Sequence, residues 1–204
     1  MARGFSYIVA RDYGFAPNPF YGVLTLATCK PSIRKAAKVG DYVMGFSGKG
    51  YNRKLIYMMR VTEKMSFDEY WNDPRFLCKR PVMNGSTKKL YGDNIYHHDE
   101  NGNWKQEDSH HSKEDGEVNQ DNLTKDTGAT DQVLISSEFF YLGDKMLTLP
   151  LNLRRCICEN RGHKNVDEKE CLELWAYLST KYNDEQLIGL PRQFKSFKRY
   201  DGKS

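Results

Sequence analysis

Two loops near the start of the chain concentrate side chains that could hold a planar, charged ligand. In RDYGFAPNPFYG the rings of Tyr13, Phe15, Phe20 and Tyr21 are interleaved with Pro17 and Pro19, and Asn18 sits between the prolines. Rings fixed on a stiff backbone can stack a base, and an amide carries both a donor and an acceptor for the base edge. A few residues on, TLATCKPSIR sets the hydroxyls of Thr25 and Thr28 and the thiol of Cys29 beside Lys30 and Arg34, where a helix is expected to start. Backbone amides at a helix start, together with two cations, suit a phosphate. Tyr13, Phe15, Asn18 and Tyr21 are therefore the candidate base-side residues. Thr28, Lys30 and Arg34, with Ser47 in the following GFSG, are the candidate polar and phosphate-side residues. A nucleophilic Cys29 needs a nearby base and a thiolate-favouring environment, and the sequence displays neither. The plainer alternative is a proline-pinned loop whose rings cover the core, followed by a solvated basic helix with a small packed cysteine.

Four of the five histidines come as adjacent pairs, His97-His98 and His110-His111, bracketing Trp104 and Asp108. Neighbouring side chains on a strand point to opposite faces, so each pair offers one ring to a shared site. His97, His110 and Asp108 are the candidate acid–base residues. One histidine from each pair with Asp108 or Asp93 would also suit a metal, but neither pair has HExxH or CxxC-type spacing and no metal set is assigned. Solvent-exposed loop histidines are the alternative. In ISSEFFYLG, Ser136, Ser137 and Glu138 interrupt an apolar strand, where they would line a cavity or face solvent. The chain has no GxSxG elbow, Walker loop or GxGxxG fingerprint, which disfavours the common hydrolase, P-loop and dinucleotide classes.

These groups need a scaffold, and the apolar pattern supplies one. FSYIVA and VLTLAT are β-rich runs on either side of the Gly/Pro/Asn loop. Pro31 and Gly40 bracket PSIRKAAKVG as a short helix with Lys30, Arg34 and Lys38 on one face. DYVMGFSG and KLIYMMRVTEK read as strands joined by a GKGYN hairpin loop, and Ser66 with Glu69 has capping-box spacing for a short helix ended by Pro74. From about residue 84 to 131 the composition turns to Gly, Asn, Asp, Lys and His. This is a long polar insertion with LYGDNIYHH as its one strand, and its end, EDGEVNQDNLTKDTGATD, is expected to be mobile. VLISSEFFYLG restores the β pattern, and LRRCICE adds a strand with Cys156 and Cys158 on one face. In NVDEKECLELWAYLSTKY, Cys171, Trp175, Leu178 and Tyr182 fall at helical spacing, with Asn165 and Glu168 as the cap pair. The expectation is an α+β fold forming a single domain over residues 1–204. It comprises a mixed or barrel-like β-sheet, a few short helices, one long C-terminal helix and the polar insertion at 84–131.

Composition narrows the classes further. At 204 residues the chain can build one sizeable core, and a net charge of +4 lacks the strongly basic footprint of a duplex-DNA binder while permitting anionic ligands. Five cysteines without regular spacing argue for reduced thiols rather than a disulfide scaffold. No apolar run approaches membrane-spanning length and the N-terminus has no apolar signal core, so a soluble cytoplasmic protein is expected, with no membrane partner.

The stretch SYIVARDYGFAPNPFYGVLTLATCKPSIRKAAKVGDYVMGFSG, followed by YGDNIYHH, DSHHS and ISSEFFYLG, resembles the nucleotide modification associated domain 2 family of phages and bacteria along most of the chain. That resemblance implies a role in synthesising or processing modified nucleotides of DNA, and it does not supply a reaction. The order strand, short helix, KVGDYVMGFSG, strand is also similar to the opening of PUA-like barrels such as EVE domains, which hold a modified base in an aromatic pocket. The expected function is thus nucleotide binding in the synthesis or processing of modified nucleotides or DNA bases. A nucleotide or modified nucleobase is the expected partner, with DNA a further one; whether the protein is an enzyme and what cofactor it uses stay open. The alternatives are a non-catalytic binder, reading modified bases in DNA or sequestering a host nucleotide signal for a phage, and a protein-interaction module.

Overall fold

The computed structural model describes residues 2–202 of the chain. Its described residues form an α+β fold with β1 (Gly4–Val9), β2 (Leu24–Leu26), α1 (Pro31–Ala36), β3 (Tyr42–Ser47), β4 (Leu55–Arg60), β5 (Glu63–Met65), α2 (Phe67–Asn72), α3 (Thr87–Leu90), β6 (Tyr96–His98), β7 (Trp104–Gln106), α4 (Gln120–Thr127), β8 (Val133–Ser136), β9 (Glu138–Tyr141), β10 (His163–Val166) and α5 (Glu168–Tyr182). The chain divides into two compact units, one of Met1–Asp12, Ala37–Glu63 and Ser136–Arg192, the other of Tyr13–Ala36, Lys64–Ile135 and Gln193–Ser204. No described helix is long and apolar enough to cross a membrane.

The first unit is built on a five-stranded mixed sheet in the order β10-β1-β3-β4-β9. β1 runs parallel to β3 from Gly4↔Tyr42 to Val9↔Ser47, and the remaining pairs are antiparallel. β10 and β9 are its two edges, so the sheet is open and the barrel-like alternative is not realised. α5 contributes Cys171, Leu174 and Leu178, all fully buried, to a core with Met44, Phe46, Met58 and Phe140. Their i, i+3, i+7 spacing is what lets one helix face cover a sheet.

The second unit holds the three-stranded sheet β2-β8-β5, the antiparallel hairpin β6-β7 and helices α1 to α4. Its core gathers Phe15, Phe67, Tyr70, Phe76, Tyr91, Ile95, Tyr96, Leu123, Val133 and Ile135. Four of these, Tyr91, Ile95, Tyr96 and Leu123, come from the 84–131 insertion, which builds this unit's interior.

Several elements differ from the sequence expectation. The segment expected to be mobile contains α4, capped by the Asn119 side chain and burying Asn122, Leu123 and Asp126. Only one of those three is apolar, so the helix leaves almost no hydrophobic period to read. VLISSEFFYLG is two strands in different sheets, broken where Ser136 Oγ donates to the carbonyls of Arg60 and Glu138 at 2.6 Å each. Ser136 is thus a buried structural hydroxyl, while Glu138 is exposed and pairs with Arg60 at 3.2 Å. LRRCICE forms a tight helical turn over Leu151–Cys156 instead of a strand, and the cap of α5 is Asp167, with Asn165 inside β10. The Ser66–Glu69 capping box is present as expected, and all five cysteines are free.

Candidate active site

Cys29 lies in the short connection between β2 and α1, and its backbone is the first sign that the residue is special. Cys29 and Lys30 both have positive φ, 57° and 43°, before Pro31 opens α1. Residues other than glycine in this region cost about 1–3 kcal/mol each and persist only where the surroundings enforce them. Here Asp126 and Arg34 enforce the conformation. The Cys29 amide donates to Asp126 Oδ1 at 2.7 Å, and Arg34 Nε donates to the Cys29 carbonyl at 2.7 Å. Arg34 is fully buried; its Nη2 donates to the Asp126 carbonyl at 2.5 Å and its Nη1 to the Gln132 carbonyl at 2.7 Å. Burial lowers the Arg34 pKa, and the nearby Asp126 carboxylate opposes that effect. A cation on the Asp126 carbonyl, in the last turn of α4, is also where the helix dipole favours it.

His111 comes from the loop between β7 and α4. That loop is tied by Ser109 and Ser112: the Ser109 amide donates to Ser112 Oγ at 2.9 Å and the His111 amide to Ser109 Oγ at 3.3 Å. Its imidazole is buried, with Nδ1 2.8 Å from Asp126 Oδ2 and Nε2 3.9 Å from Cys29 Sγ. Tyr96 donates to the same Asp126 Oδ2 at 3.0 Å, Gln106 Nε2 donates to the Tyr96 hydroxyl at 3.1 Å, and Phe15 packs on the ring with centroids 4.7 Å apart. Burial alone would disfavour the charged imidazole, yet the Asp126 carboxylate overrides it and raises His111 to about 9. Burial likewise acts to raise Asp126, but His111 and Arg34 leave its pKa below the usual carboxylate value. At neutral pH the pair is therefore carboxylate and imidazolium, and only Cys29 among the three is partly exposed. A partly exposed sulfur facing the ring nitrogen of a base that is itself oriented by a third group is the arrangement of a nucleophile with its proton carrier.

The residues singled out from sequence have distinct positions. Thr28 is fully buried and its hydroxyl has no hydrogen-bond partner, while Lys30 is half-buried beside Cys29. Tyr13 is half-buried, stacked on Tyr91 with centroids 5.3 Å apart, and Phe15 is a core residue against His110 and His111. Asn18 is buried, donating to the Tyr91 carbonyl at 2.9 Å and accepting from the Phe20 amide at 3.2 Å and from Lys79 Nζ at 2.8 Å. Tyr21, with φ 65°, has Lys88 Nζ 4.0 Å and Lys89 Nζ 5.0 Å from its ring centroid, and its buried hydroxyl is unpartnered. Ser47 belongs to the first unit, where its buried hydroxyl donates to the Tyr51 carbonyl at 3.2 Å and accepts from the Lys54 amide at 2.9 Å.

His97, His110 and Asp108 have separate sets of partners. His97 stacks on Trp71 at 4.0 Å and pairs with Glu107 at 2.8 Å. His110 bonds the Lys198 carbonyl, and Asp108 pairs with Arg199 and accepts from Ser112 Oγ at 2.9 Å. The histidine that reaches Asp126 and Cys29 is the other member of the second pair, His111. His111 was visible as part of that pair; Asp126 gave no signal, because it lies in the polar stretch that lacks a hydrophobic period. Among the described residues, no group of three or more His, Cys, Asp or Glu side chains is arranged to hold a metal ion.

A second buried carboxylate lies in the same unit. Asp93 accepts from Thr25 Oγ1 at 2.5 Å and from the Tyr70 hydroxyl at 2.9 Å, and burial raises its pKa despite Lys79. Lys79 Nζ donates to Asn18 and to the Val23 carbonyl at 2.9 Å, and burial lowers it to about 8.

The sequence profile of a family described as nucleotide modification associated domain 2 matches residues 1–198. No curated protein matches the chain, and no solved structure matches it.

Proposed function

The chain belongs to the nucleotide modification associated domain 2 family, and from that premise we propose that it is a nucleotide-processing enzyme whose nucleophile is Cys29. Membership carries the association with nucleotide modification. The single observation that carries the chemistry is the hydrogen-bonded series from Asp126 through His111 to the Cys29 sulfur, with separations of 2.8 Å and 3.9 Å. In this reading the thiolate attacks an electrophilic carbon of the nucleotide, His111 Nε2 holds the proton to be delivered, and Asp126 fixes the tautomer and stabilises the imidazolium. The nucleotide is held by the half-buried rings of Tyr13 and Tyr21, with Lys30, the residue after the nucleophile, receiving its phosphate.

The test is a panel of free nucleotides, modified nucleotides and single-stranded DNA, with binding followed by calorimetry and products by mass spectrometry. Wild-type protein should convert at least one class; Cys29→Ala should bind it and leave it unchanged. Turnover that survives Cys29→Ala would remove the nucleophile from the reading.

A non-catalytic binder is the second reading, and Tyr21 favours it. A buried, unpartnered hydroxyl under two lysines is a ready contact for an anionic ligand. Binding lost in Tyr21→Ala, with no product from any ligand, would select it.

A further inference from the structure

Resting on the nucleophile reading above, we propose that Cys29, His111 and Asp126 form an acyl-transfer site whose substrate is an amide on the exocyclic amine of a nucleobase, with the acyl group carried as a thioester on Cys29. His111 Nε2 is the ring nitrogen facing the sulfur, and Nδ1 is committed to Asp126 at 2.8 Å. A proton on Nε2 therefore lies beside the carbon that the sulfur attacks, where a departing atom needs it. An amine is too basic to leave an acyl carbon as an anion and must be protonated as the bond breaks, so this arrangement matches an amide. Addition of a thiolate to pyrimidine C6, the other common use of cysteine on a nucleobase, expels nothing from the attacked carbon and takes up its proton at the neighbouring C5 instead, which is the alternative the fluoropyrimidine probe tests.

The second observation is the hydroxyl of Thr28, one residue before the nucleophile. It is fully buried and has no hydrogen-bond partner within the protein. The Cys29 amide, which would otherwise serve a developing oxyanion, is committed to Asp126 Oδ1 at 2.7 Å. In the proposed site the Thr28 hydroxyl, a donor without a partner on the residue before the nucleophile, supplies that function for a tetrahedral intermediate.

The steps balance. Thiolate Cys29 adds to the amide carbonyl carbon. The C–N bond breaks, the His111 proton goes to the exocyclic nitrogen, and neutral His111 is left beside the thioester. Water or an acceptor amine then attacks the thioester, gives one proton to His111, and releases a carboxylic acid or a new amide with the thiolate restored.

The probes are N4-acetyl-dCMP and N6-acetyl-dAMP, with 5-fluoro-dUMP as the trap for addition at C6. After acid quench, intact mass and peptide mapping should find one acetyl group on Cys29, none in Cys29→Ala, and an acylation rate reduced about 10²–10⁴-fold in Asp126→Asn. Thr28→Val should lower the rate about 10²–10³-fold while leaving iodoacetamide alkylation of Cys29 unchanged. A fluoropyrimidine adduct on Cys29 without acylation overturns the amide assignment and keeps the nucleophile. Neither adduct, with Cys29 alkylated by iodoacetamide faster than Cys78, also overturns the amide assignment alone. Neither adduct, with Cys29 no faster than Cys78, overturns the nucleophile reading with it.

Discussion

Two buried carboxylates of the second unit make an instructive pair. Asp93 and Asp126 are each fully enclosed, each accepts from a tyrosine hydroxyl, and each has a cationic side chain close by. They differ in what the network reaches. Around Asp93 the partners are Thr25 and Tyr70, with Lys79 bonded to carbonyls, and all of these side chains are buried. Around Asp126 the chain of contacts ends on a half-exposed sulfur. Their titrations diverge accordingly: burial dominates at Asp93 and raises it, while His111 and Arg34 dominate at Asp126 and lower it. A buried carboxylate is therefore not a marker of function by itself; the marker is a charged network with one accessible reactive end.

That contrast can be broken most sharply at its ends. Cys29→Ala should abolish turnover, a loss of about 10⁴-fold or more, with unchanged thermal unfolding, whereas Thr25→Val should leave turnover per folded molecule intact and lower the unfolding midpoint. Asp126→Asn comes next, with a loss in kcat of about 10²–10⁴-fold and a shift of the upper limb of the pH–rate profile to lower pH, since His111 no longer holds its proton to about 9. Lys79→Met should cost about 1–3 kcal/mol in urea unfolding by leaving the buried acceptors of Asn18 and Val23 without their donor, with no change in the pH–rate profile.

Stability against pH separates the two networks more finely. His111 is raised from 6.5 to about 9, so the folded state holds the extra proton; its contribution is complete below about pH 6.5 and is lost as pH rises through about 9. Lys79 is lowered from 10.5 to about 8, so its protonated form is the burdened one, and stability is regained as pH rises from about 8 toward 10.5. His111→Gln should flatten the decline between pH 6.5 and 9, and Lys79→Met should remove the recovery above it; pH-dependent urea titrations read both. The smallest effect is expected from Tyr96→Phe, about 1 kcal/mol of stability for one hydrogen bond to Asp126.

The elements that follow an apolar period were legible in the sequence. β1, β3, β4 and α5 lie where alternation or helical spacing places them, and the Ser66–Glu69 box marks α2 because its two side chains bond each other's backbone. What escaped was order created by polar contacts. α4 buries Asn122 and Asp126 through hydrogen bonds, Ser136 splits a β run through its hydroxyl, and neither leaves a hydrophobic pattern. The candidate site suffered most from this, because Asp126 stands in the most polar part of the chain. Cys29 was in view but lacked its base, since residues 29, 111 and 126 meet only through the fold. Arg34 shows the converse: a cation that suits a phosphate by its sequence position has its donors on three carbonyls.

One carboxylate at the site holds both nucleophile and base. Asp126 Oδ1 receives the Cys29 amide and Oδ2 receives the His111 ring. The spacing of sulfur and imidazole is thus gauged by the width of a single rigid, planar group, rather than by two independent stretches of chain. If α4 shifts, nucleophile and base are carried along in step, so their relative alignment is insulated from motions of the helix that bears their common holder.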